Sequence, residues 1–223
     1  MRPNSENGLI HRVVQSVYDT TIRDYLPKRI CVYRGVPARG IRLLDMTDHQ
    51  PEYKKGLIDS IYEYVSESDN AVMIGAGRGI TSTHLARAGA TVTAYEAAEE
   101  MLSVARETLE MSQVSDQVTV VHKVVGEGIK IRGMNIGSPL PPAELETGDI
   151  LVMDCEGAER SILNKLNDWP QMILVETHPN CGVPTSETRE ILEDKGYNVE
   201  TRQHKPNDDV KKVLVAINKD ETK

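Results

Sequence analysis

The chain has 223 residues, of which 26 are basic and 34 acidic, for a net charge of −8. That length holds one α/β domain with a full core and a short extension, and the acidic balance excludes a nucleic-acid-binding surface spread over the whole protein. Cys31, Cys155 and Cys181 lie far apart and make no C-x-x-C or His/Cys zinc spacing, which fits a reduced, cytoplasmic protein.

In chain order, residues 9–26 carry Ile10, Val13, Val14, Val17, Ile22 and Leu26 near one stripe, the pattern of an amphipathic helix that Pro27 ends. The first residues lack the apolar core of a signal peptide, and no run reaches the ~18 apolar residues of a membrane span. Residues 30–33 and 41–44 read as a short hairpin joined through Gly35, Pro37 and Gly40. Residues 1–45 hold eight basic side chains against four acids. Residues 1–50 are therefore expected to form a basic extension, a candidate cap, on a domain spanning 51–223. A helix over 57–65 precedes an alternation: strand 72–74, helix 80–89, strand 91–95, helix 98–112, strand 117–122. Residues 123–148 are rich in Gly and Pro and predict a loop with a short strand near 128–132. Strand 150–154, helix 158–166, strand 172–176 and helix 186–195 follow, then strands 197–202 and 213–217 with a polar connection. Strands alternating with helices predict a mostly parallel, doubly wound sheet. The last pair, without a helix between, predicts an antiparallel return and a seven-stranded sheet whose final strand is reversed.

The first chemical signal is Gly75-Ala76-Gly77-Arg78-Gly79 between a β-branched run and a helical pattern, with Glu96 closing the next apolar run. Glycines let a backbone pass close to a ligand, and an acid about 20 residues on can accept hydrogen bonds from a ribose diol. An adenosine-containing cofactor is expected. The spacing is G-x-G-x-G, one residue short of the G-x-G-x-x-G that sets a helix N-terminus against a pyrophosphate. That disfavours a dinucleotide. A tight turn without a ligand is the plain alternative for the glycines alone. Right-handed crossovers bring Gly75, Glu96, Asp154 and Glu176 to one sheet edge.

The second signal is Asp154-x-Glu156-Gly157-x-Glu159 at the end of the fourth core strand, followed by Ile173-Leu-Val-Glu-Thr-His178 on the fifth. Together with Ala94-Tyr-Glu96, these segments resemble the FkbM family of class I S-adenosylmethionine-dependent methyltransferases over residues 55–218. The G-x-G-x-G turn is also similar to the form typical of such enzymes. The resemblance implies a Rossmann-like fold and S-adenosyl-L-methionine as cofactor. It implies an O-methyltransferase acting on a hydroxyl of a sugar, glycan precursor or similar small polar acceptor. It places Gly75, Ala76, Gly77, Gly79, Glu96, Ala97, Val125, Gly126 and Asp154 against the cofactor. Asp154, Glu156 and His178 become candidates for the acceptor's proton, with helix capping as the plain alternative for Asp154. The chain departs from the family at Met73, where an acid is usual. A second reading, a degenerate cofactor-binding module without turnover, rests on that departure. No metal is assigned, although Asp154, Glu156, Glu176 and His178 could form a divalent-metal site as two oxygen-rich strand ends converge.

Overall fold

A computed structural model describes residues 25–42, 49–126 and 136–219. The helix expected over 9–26 and the short strand expected near 128–132 fall outside or almost wholly outside the described residues. Two sheets form. The small one holds β1 (Lys28–Tyr33), β2 (Val36–Arg42) and β3 (His49–Gln50) in the order β2-β1-β3. The large one contains β4 (Asn70–Ile74), β5 (Thr91–Glu96), β6 (Val118–Val125), β7 (Ser138–Leu140), β8 (Ile150–Met153), β9 (Met172–Glu176), β10 (Tyr197–Gln203) and β11 (Lys212–Asn218). Its order is β10-β11-β9-β8-β4-β5-β6-β7, with β11 antiparallel to both neighbours and the remaining pairs parallel. The reversed last strand agrees with the sequence. The eighth strand, β7, was not expected at its position. Its three residues, Ser138-Pro-Leu140, are too short and proline-broken to carry a periodic signal, and only pairing with β6 makes them a strand.

Helices α1 (Lys55–Tyr64), α2 (Ile80–Arg87) and α3 (Glu99–Met111) cover one face, and α4 (Glu159–Leu163) and α5 (Thr185–Asp194) the other. Alternation along the strands divides the core accordingly. Ala71, Met73, Val92, Ile150, Val152, Leu174, Val213 and Val215 join the α1–α3 side, while Val72, Ile74, Leu151, Met153, Ile173, Val175 and Leu214 join the α4–α5 side. Met73 is thus fully buried in the core on the α1–α3 side.

The hairpin turns earlier than expected. Arg34 and Gly35 both take positive φ, 49° and 84°, the conformation of a two-residue turn whose twist matches the flanking strands. Pro37 then lies inside β2, opposite Val32, where an edge strand tolerates its missing N–H. Cys31, Tyr33, Val36 and Ala38 bury against Ile80 at the start of α2. Arg39 binds the Glu107 carboxylate of α3 through Nε and Nη2 at 2.6–3.1 Å. The small sheet is therefore seated on α2 and α3, and the chain leaving β3 runs directly into the cavity wall.

Candidate functional site

The carboxyl ends of the parallel strands open on a cavity of about 940 Å³. At one end, Gly75 N and Ala76 N donate to Tyr95 O at 3.0 Å, which ties the turn after β4 to the end of β5. Glu96, 8% exposed, accepts from Gly77 N at 2.7 Å and Ala98 N at 2.8 Å. Each carboxylate oxygen keeps a second lone pair. Ile74, Tyr95, Met101, Val124 and Val125 supply apolar wall on this side.

The glycines do different work than expected. A Cβ on Gly75 would stand 2.0 Å from Asp154 O, so this residue is glycine because β4 and β8 end in close contact. At Gly77, with φ 54°, a Cβ would meet nothing within 4 Å, and the residue lines the cavity. Gly77 is thus the position where a missing side chain leaves room for a ligand. Gly79 packs on Ala105 and heads α2. Ala76 is buried in the core, and Gly126 N donates to Leu140 O at 3.0 Å. Ala76, Gly79 and Gly126 do not line the cavity; they shape the turns that carry it. Gly75, Gly77, Glu96, Ala97, Val125, Asp154 and Glu156 all line it.

At the other end lies a charged cluster. Asp154 follows β8, Glu176 ends β9, and His178 follows two residues later. His178 is 4% exposed, and its Nδ1 lies 2.6 Å from Glu159 Oε1. Its Nε2 faces Asp154 Oδ1 at 3.4 Å and Glu176 Oε1 at 3.5 Å. Lys54, between β3 and α1 and at φ 45°, sends its ammonium to Asp154 Oδ2 and lies 3.3 Å from Glu176 Oε2. From the β10–β11 connection, Lys211 Nζ donates to Glu176 Oε1 at 2.9 Å, and His204 Nε2 faces Glu176 Oε2 at 3.4 Å. Asp208 holds His204 Nδ1 at 3.0 Å.

The cluster fixes its own charges. Burial opposes ionisation of Asp154, but the Lys54 ammonium and the His178 ring outweigh it and hold the carboxyl below its usual range. Burial also opposes the anion at Glu176, and His178, His204 and Lys54 overcome it, with the pKa again lowered. At His178 burial disfavours the cation, yet the facing carboxylates of Asp154, Glu159 and Glu176 push the pKa up to about 11. His178 does not itself line the cavity, and both its ring nitrogens face carboxylates. Glu156 differs from its neighbours. It is exposed, lines the cavity and takes φ 47°, a left-handed conformation that a non-glycine residue rarely holds.

Lys54, His204 and Lys211 were not anticipated. Lys54 lies in a polar stretch before a helix, where a lysine ordinarily reads as solvated. The His204–Asp208 spacing in the polar connection was the available signal for that pair.

Residues 72–131 match the family model described as a methyltransferase domain. No curated protein sequence matches the chain. Among solved structures, the precorrin-6y C5,15-methyltransferase of Geobacter metallireducens is 17% identical, with a TM-score of 0.50 over 81% of this chain and 93% of that one. The SAM-dependent O-methyltransferase of Thermotoga maritima is 17% identical, with a TM-score of 0.52 over 86% and 78%. The magnesium protoporphyrin IX methyltransferase of Synechocystis, solved with bound SAM, is 16% identical, with a TM-score of 0.52 over 74% and 79%. The sheet order and these likenesses show the Rossmann-like fold of class I methyltransferases.

Proposed function

We propose that this chain is an S-adenosylmethionine-dependent methyltransferase of the FkbM type, transferring a methyl group to a hydroxyl of a sugar, glycan precursor or similar small polar acceptor. The observation that carries the reading is one continuous cavity. It runs from a buried acid flanked by an open glycine, Glu96 and Gly77, to the carboxylates Asp154 and Glu156. The family match over 72–131 covers the first end of that cavity, and structural relatives include methyltransferases named for precorrin and porphyrin substrates. The O-methylation of a polar hydroxyl rests on the Asp154-x-Glu156-Gly157-x-Glu159 resemblance and on the polarity of the second end.

The residues fit the cofactor. Glu96 would bind the ribose diol with its remaining lone pairs, and the backbone at Gly75 and Gly77 would border the ribose and aminoacyl portions. Tyr95, Ala97, Val124 and Val125 would bound the adenine. When bound, the cofactor supplies a methyl group already activated by a positive sulfur. The protein's own part is to hold the acceptor oxygen in line and to receive its proton. Asp154 is suited to that part. Lys54 keeps it ionised, and the acceptor hydroxyl becomes strongly acidic as its new C–O bond forms, so a carboxylate of low pKa is an adequate proton acceptor. Glu156, on the same wall, is the next candidate. His178 acts beneath Asp154 as a positioning residue. The small sheet supports the site by delivering Gln50–Lys54 into the wall, which supports a part for that segment in acceptor binding.

Isothermal titration of the full chain separates the readings. Binding of S-adenosylhomocysteine with no response to NAD supports the assignment, whereas NAD binding would replace it with a dinucleotide reading. Turnover with hydroxylated sugars separates an enzyme from a cofactor-binding module.

A further inference from the structure

The floor of the cavity holds more than proton-transfer chemistry requires. Asp154, Glu176 and His178 offer one ligand atom each, all within 4.8 Å of one another. The separations from His178 Nε2 to Asp154 Oδ1 and to Glu176 Oε1 are 3.4 and 3.5 Å. A tetrahedral ion with bonds of about 2.1 Å has ligand atoms about 3.4 Å apart. An independent observation points the same way. His178 Nε2 has no hydrogen-bond partner, although the residue is 4% exposed. The atom is aimed between the two carboxylates, too far from either for a good hydrogen bond and at the distance two ligands of one ion would keep. A buried polar atom left unpaired is costly unless something fills the gap.

The surroundings match a ligand set. Glu159, 0% exposed, holds His178 Nδ1 at 2.6 Å. A carboxylate on the far nitrogen is the usual means of fixing a ligating imidazole with its other lone pair outward. Lys54 takes the opposite oxygens, Asp154 Oδ2 and Glu176 Oε2, and so leaves Oδ1 and Oε1 toward His178. Lys211 is the one rival at Oε1 among the described residues.

We propose that Asp154 Oδ1, Glu176 Oε1 and His178 Nε2 form a binding site for a divalent transition-metal ion in the floor of the cavity. This revises the metal-free expectation drawn from the sequence. One imidazole with two carboxylates suits Mn²⁺, Fe²⁺, Co²⁺ or Zn²⁺ better than Mg²⁺ or Ca²⁺, which favour all-oxygen sets. Because Asp154 and Glu176 line the cavity, an ion there borders the space left for the acceptor. Glu156, exposed on the wall, lies outside this set. The site stands independently of the methyltransferase reading, since it is tested by metal binding alone.

The test uses the full chain, stripped with chelator and dialysed, titrated with Mn²⁺ and with Zn²⁺ by calorimetry. One ion per chain is expected, with Mg²⁺ at least tenfold weaker. Pulsed electron paramagnetic resonance of the Mn²⁺ form should show one coordinated imidazole nitrogen, a readout that needs no variant. Glu159→Gln should weaken binding about 10- to 100-fold by loosening the ring, and Lys211→Met should tighten it by freeing Oε1. Absence of binding by both the wild-type chain and Lys211→Met at millimolar Mn²⁺ and Zn²⁺ overturns the proposal. So does an ion bound without an imidazole nitrogen in its coordination shell.

Discussion

Replacing Glu96 by Ala separates a cofactor-binding acid from a merely structural one. In the structure Glu96 already serves the fold, accepting from Gly77 N at 2.7 Å and Ala98 N at 2.8 Å. Its removal strands two backbone donors, one of them buried, at a cost of about 1–3 kcal/mol each where water cannot reach. For a chain of this size each kcal/mol lowers Tm by about 2–4 °C, so a loss of several degrees is expected whatever the function. Cofactor affinity carries the functional part. One hydrogen bond to a charged group contributes about 1.5–3 kcal/mol, or about 10- to 150-fold in Kd. Because a distorted turn would also weaken binding, the decisive assay is a double cycle by titration calorimetry, held well below the lower Tm. S-adenosylhomocysteine and its 2′-deoxy analogue are each measured on wild type and on Glu96→Ala. The deoxy analogue should lose at least tenfold against wild type and almost nothing against the variant. An equal loss on both proteins would refute the contact between Glu96 and the ribose and leave the acid as a clasp for the turn.

Three further outcomes follow from the same geometry. Gly77→Val places a β-branched side chain at φ 54° and into open cavity. Cofactor binding should vanish while circular dichroism shows a folded chain, and normal binding would move the site away from the turn. Asp154→Asn should lower kcat by about 10²–10⁴ and disturb cofactor affinity less than Glu96→Ala does; unchanged kcat would pass the proton to Glu156. Stability should depend on pH through His84, whose Nδ1 lies 2.8 Å from Tyr62 Oη and whose pKa is pushed down to about 4, first by burial and then by Arg87 and Arg34. The unfolded chain takes up a proton near 6.5 that the folded chain refuses until about 4. Stability is therefore unaffected above that window and falls as pH drops through it, by on the order of 3 kcal/mol. In urea unfolding at pH 7 and pH 4.5, His84→Gln should lose less stability than wild type; parallel losses would contradict the assignment.

Much of this was legible in the chain because it follows from period and punctuation. Continuous apolar runs at Ala71–Ile74 and Ile150–Met153 mark strands buried on both faces, and helical patterns between them dictate parallel pairing. The order of strands then carries Glu96 and Asp154 to one edge. The hairpin was misplaced because Arg34 takes a left-handed turn position that its type does not advertise, while Gly35, Pro37 and Gly40 together mimic a longer loop. Three of the site's basic groups escaped notice for a different reason. Lys54, His204 and Lys211 lie in polar connections where nothing local distinguishes a solvated side chain from one aimed inward. Only the packing of α1 against the sheet and the return of β11 between β9 and β10 decide that they point at Glu176.

The source of those cations bears on how the site is built. The parallel strands and their crossovers provide the acids: Glu96 at the end of β5, Asp154 after β8, Glu159 in α4 and Glu176 at the end of β9. Burying Asp154, Glu159 and Glu176 together without compensation would cost several kcal/mol per ion. Within that alternation His178 is the nearest partner, and it touches all three. The remaining compensation is imported, Lys54 from the segment linking the small sheet to α1, and His204 and Lys211 from the antiparallel return. The charged floor of the cavity is thus assembled only when both flanks of the alternating core have folded onto the sheet edge. Lys54 ties this to the extension. Its left-handed backbone, at φ 45°, costs about 1–3 kcal/mol in a non-glycine residue, and the ion pairs with Asp154 and Glu176 are what that strain sustains. The small sheet that precedes Lys54 is therefore part of the charge design of the site as well as of its walls.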